Sequence, residues 1–302
     1  MENKYSRSAS QLLNFTQDSY LERTSRPVYA VIFLLPFIVF YELGTVLINT
    51  DILNQSQVRV VAFVWLQKAL EYVGFSHKIA WMLPPLVVII ILISLQITSC
   101  KKWSFGLGDI WPMAMECILL AGPLIVLSLF LNSSEQPTPN ATTIAESGLP
   151  YAQAQATLNC LSPAAIPLQT AVKYYQADTN NLLANIITGI GAGIYEELVF
   201  RLILICVLMI VFQDVLKIAR KNSIVFSVLL SAALFSAHHH IIFIDGRLTT
   251  NVPFDGTVFC FRTIAGVYFA ILFAVRGFGV TAGTHAFYDI IATIINTLFF
   301  QQ

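Results

Sequence analysis

Residues 181–213 read NLLANIITGIGAGIYEELVFRLILICVLMIVFQ, an apolar run whose only charged residues are Glu196, Glu197 and Arg201. About 20 such residues, rising 1.5 Å each in a helix, cross about 30 Å of hydrocarbon, and this run is longer. Ionisable groups at that depth are expensive unless they are paired or face a cavity, so these three demand a reason. Working outward, further apolar runs lie at 27–50, 79–99, 108–132, 222–243, 258–276 and 278–300. They are continuously apolar and lack the period of two that a membrane barrel requires. The expected fold is therefore all-α, a polytopic transmembrane bundle of about seven to eight membrane helices.

Composition agrees. Of 302 residues, 56% are hydrophobic and 11% charged, against about a quarter charged in soluble domains. Formal net charge is zero, which gives no electrostatic case for nucleic-acid binding. Five scattered cysteines (Cys100, Cys117, Cys160, Cys206, Cys260) form neither a disulfide framework nor a zinc motif. No internal repeat is visible, which weighs against repeat-built transporters.

Four regions follow: a polar N-terminal segment, 1–26; N-terminal transmembrane helices, 27–132; an extramembrane loop, 133–180, with the sequon Asn140-Ala141-Thr142; and a helical core, 181–300. The N-terminal segment is no cleavable signal peptide, because the apolar run after it is too long for a signal core. Segment 57–76 holds Arg59, Lys68 and Glu71 and its apolar residues fall partly on one side, so an interfacial or re-entrant amphipathic helix that does not cross is expected. With seven crossings, Lys4, Arg7, Arg23 and Arg26 share a side with Lys101-Lys102, the Lys217–Lys221 turn and Arg276. The excess of positive charge inside then predicts a cytoplasmic N-terminus.

Three clusters carry the chemistry. Glu197 and Arg201 are four apart, the spacing of a helical ion pair, while Glu196 projects about 100° away on a face with Gly189, Ala192 and Gly193. Ser231, Phe235 and His239 share a second helical face, and His238 and His240 point to either side of it. His285 and Asp289 form a third pair four apart. Glu196 and His239 each lie about 17 residues, or roughly 25 Å, from the basic turn 214–221, so they can meet at one level. By the same count His285 sits roughly 10 Å shallower.

Glu196-Glu197-x-x-x-Arg201, Phe235-x-x-x-His239 and His285-x-x-x-Asp289, in that order on successive apolar helices, resemble the CPBP family of intramembrane endopeptidases. This family includes the type II CAAX prenyl endopeptidases and bacterial Abi-type proteins. The resemblance covers about 181–300. It implies that Glu196, with His239, activates a water against a peptide carbonyl, that His285 oriented by Asp289 stabilises the oxyanion, and that Glu197 and Arg201 support the site. Asp289 stands where the prenyl endopeptidases carry Asn, and an ionised Asp accepts hydrogen bonds but donates none. The family is also described as metalloproteases, so Glu196, His239 and His285 are the zinc ligands if a metal is present; metal-free water activation is the preferred expectation. The implied partners are membrane-anchored or transmembrane peptides, prenylated ones among them, within a lipid bilayer, and the implied location is a bacterial cell membrane. Two other classes fit the same residues: a non-catalytic immunity or binding protein, and a proton-coupled transporter, for which Glu42 and Glu116 in other spans would serve as relay groups.

Overall fold

The computed structural model describes residues 15–16, 18–51, 60–134, 179–240, 242–244, 247–249 and 254–299. The expected helical membrane bundle is what forms. Helix α1 (Tyr20–Thr24) precedes α2 (Pro27–Asp51), α3 (Val61–Val73), α4 (His77–Ala80), α5 (Pro84–Thr98) and α6 (Ile110–Ser134). Then come α7 (Thr179–Glu196), a π-helix (Glu197–Leu204), α8 (Ile205–Met209) and a second π-helix (Ile210–Val215). The C-terminal helices are α9 (Arg220–His238), α10 (Gly256–Arg276) and α11 (Phe278–Phe299). A short antiparallel hairpin, Ile242–Ile244 with Arg247–Thr249, joins α9 to α10.

Among the described residues, five stretches are long and apolar enough to cross a membrane: Pro27–Leu47, Leu107–Leu131, Leu182–Val215, Gly256–Arg276 and Phe278–Leu298. The two other expected spans are helical but fall short for physical reasons. Helix α5 has only 15 residues. Helix α9 begins with Arg220 and Lys221 and carries buried serines at 223, 227 and 231, a polar stripe that lowers its hydropathy. The run 222–243 was expected to be helical throughout, but α9 stops at His238 and the hairpin follows. Helix α3 is the amphipathic element expected within 57–76. It buries Ala62, Phe63 and Gln67 and exposes Tyr72, and its 13 residues cannot span hydrocarbon. Residues 57–59, 135–178 and 1–14 lie outside the described residues, and with them the sequon, Cys160 and most of the loop 133–180.

Helix α11 is central, packed by α7, α6, α2 and α10. Its small residues make this close approach possible. A Cβ on Gly193 of α7 would lie 2.6 Å from the backbone nitrogen of Ala286, and one on Gly283 would lie 2.6 Å from the Phe33 ring. Outward-facing Leu43, Leu47, Trp111, Leu119 and Phe130 are exposed, the apolar exterior that a lipid-facing surface needs.

One end of the bundle is closed by charge pairing. Arg276, at the end of α10, makes a two-point contact with Glu116 at 2.5 and 2.7 Å, and donates to the Leu21 carbonyl and the Thr24 hydroxyl, both at 2.8 Å. Arg23 holds Asp109 through two hydrogen bonds of 2.9 and 2.8 Å, and Tyr29 donates to the same carboxylate. Arg26 pairs with Asp18 and Glu22. The N-terminal segment is thereby tied to α6 and α10.

Candidate active site

The site is built where α7 passes into its first π-helix. Such wide turns interrupt the i to i−4 ladder and are frequent at functional positions. The change of pitch sends Glu196 and Glu197 to separate pockets, as their different faces predicted. Glu196 faces the end of α9: its Oε1 lies 3.5 Å from His238 Nε2, and its Oε2 lies 3.9 Å from His239 Nε2. Glu197 is fully buried, with Oε2 3.1 Å from Arg201 Nε and Oε1 2.7 Å from His285 Nδ1. The pair four apart on the helix is present, and Glu197 also grips the third cluster.

His285 is therefore held mainly by Glu197, with Asp289 Oδ2 more distant, 3.7 Å from Nε2. Because a carboxylate only accepts, Nδ1 is the donor in the Glu197 contact. The ring of His285 stacks on Phe269, with centroids 4.5 Å apart. The depth mismatch anticipated for His285 does not exist. The fourteen π-helical residues between Glu197 and Val215 advance less per residue than α-helix, and Arg276 sits inside the polar network instead of marking a water interface. The counting assumed ideal helices and an exposed Arg276, and both assumptions fail.

Phe235 joins the two pockets. Its ring lies 5.2 Å from His239 and 6.0 Å from His285, and the Arg201 guanidinium sits 4.1 Å above it. Arg201 also donates to the Gly266 carbonyl at 3.5 Å and is enclosed between Phe235 and Phe269. Ser231 of the same stripe donates to the Phe200 carbonyl at 2.6 Å, anchoring α9 to the π-helix.

His238 corrects the sequence reading, which pointed it away from the site. Because α9 ends at His238 and His239 occupies the cap position, the two rings do not diverge by a helical 100°. They lie 3.9 Å apart and both face Glu196. His240 does point elsewhere, against Phe254 and Phe259. Among the described residues, the group able to hold a metal is Glu196, His238 and His239, with one ligand atom from each within 4.8 Å of the others. His238 takes the place given to His285 in the expected zinc set. One carboxylate and two imidazoles suit zinc with an open position. The buried Glu196 Oε2 and His239 Nε2 atoms have no hydrogen-bond partner among the described residues, so the donor set fits the metal.

Arg262 is a further residue that the sequence reading passed over. It is buried on α10. An arginine inside an apolar run was signal enough to find it. Glu116 is taken by Arg276 and Tyr20, and Glu42 accepts from the Tyr195 hydroxyl at 3.2 Å, so both acids of the transporter alternative are bound into packing.

Residues 178–291 match the family model described as Type II CAAX prenyl endopeptidase Rce1-like. No curated protein and no solved structure matches the chain significantly. The match spans all three clusters, from Glu196 to Asp289. Over this C-terminal core the chain is similar to the Rce1-like group of type II CAAX prenyl endopeptidases.

Proposed function

We propose that the chain is an intramembrane endopeptidase that hydrolyses a peptide bond in a membrane-anchored substrate, with Glu196 as general base. One observation carries this reading: Glu196 Oε2 and His239 Nε2, both buried and without hydrogen-bond partners among the described residues, face each other 3.9 Å apart. That separation is too long for a direct hydrogen bond and suits a water about 2.8 Å from each. Glu196 takes a proton from this water as its oxygen attacks the scissile carbonyl, and later gives that proton to the leaving amine as the C–N bond breaks.

His285 supplies the oxyanion contact. Its Nδ1–H is committed to Glu197, so a donor at Nε2 requires the doubly protonated ring, for which Glu197 and Asp289 provide the counter-charge. At 3.7 Å, Asp289 does not consume the Nε2 hydrogen. Asp289 therefore acts as a counter-ion, a role that needs no donor from an Asp. Glu196, His238 and His239 are the residues that would hold zinc, which when bound would polarise water and acidify it. We further assign 1–26 and the Lys101-Lys102 end to the cytoplasm, 133–180 to the opposite side, 181–300 to the catalytic core and the whole to a bacterial membrane, with prenylated peptides as substrates.

The test is purified Glu196→Gln and Glu196→Ala protein in detergent, assayed with a quenched-fluorescent farnesylated peptide. Loss of a general base lowers kcat by about 10²–10⁴-fold. Native turnover in either variant refutes the proposal, and favours the non-catalytic binding alternative.

A further inference from the structure

We infer that His238, a residue outside the three family motifs, orients the attacking water: its Nε2 accepts the water's second hydrogen while Glu196 takes the first. The inference rests on the hydrolytic reading of Glu196 and adds a residue to it.

Three observations support it. First, the tautomer is fixed. His238 Nδ1 lies 2.5 Å from the Phe235 carbonyl oxygen, and a carbonyl can only accept, so the hydrogen is on Nδ1. In the neutral ring Nε2 then carries a lone pair, and this atom points at Glu196 Oε1 from 3.5 Å. Secondly, the ring cannot turn away. It is buried among Phe200, Phe235 and Trp65, with centroids at 4.8, 5.5 and 5.7 Å, and the His239 ring lies at 3.9 Å. Thirdly, two acceptors facing each other at 3.5 Å are unfavourable unless a shared donor lies between them.

A water is that donor. The ligand atoms of Glu196, His238 and His239 lie within 4.8 Å of one another. Points so spaced fit inside a circle of radius about 2.8 Å, so one oxygen reaches all three at hydrogen-bond distance. Such a water gives one hydrogen to Glu196 and one to His238, takes a contact from His239, and keeps one lone pair for the scissile carbonyl carbon. The proton balance closes. One O–H bond of the water breaks and its proton moves to Glu196. The other hydrogen stays on the attacking oxygen, still bonded to His238. The C–O bond forms, the C–N bond breaks, and Glu196 protonates the leaving nitrogen. His238 gains and loses no proton in these steps.

The experiment compares three substitutions in the full-length protein, using the farnesylated peptide in detergent. His238→Phe keeps ring packing and removes the acceptor; kcat should fall about 10–100-fold with KM within about twofold, because orientation acts on the transition state. His238→Gln places an amide oxygen near the former Nε2 and should recover at least fivefold over Phe. His238→Asn restores only the Nδ1 side and should stay low, which keeps the test informative if His238→Phe does not fold. Native kcat in His238→Phe, an effect confined to KM, or equal losses in Gln and Asn would each overturn the inference. So would stoichiometric zinc in the wild type that His238→Phe releases, since His238 would then be a ligand. Inactive Glu196→Gln beside native His238→Phe removes this inference and leaves the hydrolytic reading standing, whereas active Glu196→Gln removes both.

Discussion

Gly193→Ala is the most searching single perturbation of the site, because it adds one methyl group where α7 meets the backbone of α11. The new Cβ would meet the Ala286 nitrogen at 2.6 Å and the Ala282 carbonyl oxygen at 2.8 Å, both backbone atoms that no rotamer change can move. Ordinary contact begins near 3.4 Å, so α7 and α11 must separate locally by about 0.8 Å. Glu197 lies four residues after Gly193, and His285 immediately precedes Ala286. Their 2.7 Å hydrogen bond would therefore stretch toward about 3.5 Å, beyond hydrogen-bond range. Overpacking of this kind costs about 1–3 kcal/mol, and misplacement of a reacting group by about 1 Å lowers turnover by about 10²-fold. The assay is thermal unfolding in detergent together with hydrolysis of the farnesylated peptide. Gly122→Ala serves as the control, because nothing lies within 4 Å of a Cβ built there. Native stability and turnover in Gly193→Ala would refute the claim that this helix contact sets the geometry between Glu197 and His285.

Arg201→Leu removes the guanidinium partner of the fully buried Glu197 and should destabilise the protein by about 3–5 kcal/mol in denaturant titrations, with Arg201→Lys only partly restoring it. Asp18 is held below the ordinary carboxylate range by its hydrogen bonds to Lys102 and then Arg26. Its contribution is thus present above the unfolded pKa of about 4 and is lost as pH falls through the lower folded value. Proteolytic cleavage around residues 15–26 should therefore rise in acid for the wild type, and already be high at neutral pH in Asp18→Asn. Cys100 is exposed beside Lys101 while Cys117 is buried, so an impermeant maleimide should label Cys100 from the cytoplasmic side and leave Cys117 untouched until the protein unfolds. Labelling of Cys100 from the other side would invert the assigned orientation.

Helix identity and the pairing of Glu197 with Arg201 were legible because both depend on local spacing: the length of an apolar run and an offset of four residues. What was not legible depends on departures from ideal helix. The π-turns after Glu196 change rise and phase, and no periodicity in ELVFRLIL announces them. The stop after His238 is equally silent: no glycine or proline follows, yet the chain turns there and brings His238 and His239 to one carboxylate. A helical wheel drawn past the helix end therefore assigned His238 to the wrong side. His285 meeting Glu197 is a tertiary fact, set by small residues on two helices 88 positions apart. Asp289 shows the converse: its offset from His285 was readable, but which carboxylate grips the ring more closely was not.

The pairing of Arg276 with Glu116 and Leu21 spans 160 and 255 residues of chain. The contacts of Leu21 and Thr24 with Arg276 can form only after α10 has been made. Until then Glu116 waits in α6 without its cation, a state that costs several kcal/mol if the acid is shielded from water. The docking of residues 20–26 onto Arg276 therefore reports that α10 is in place, and a chain halted before Arg276 lacks these contacts.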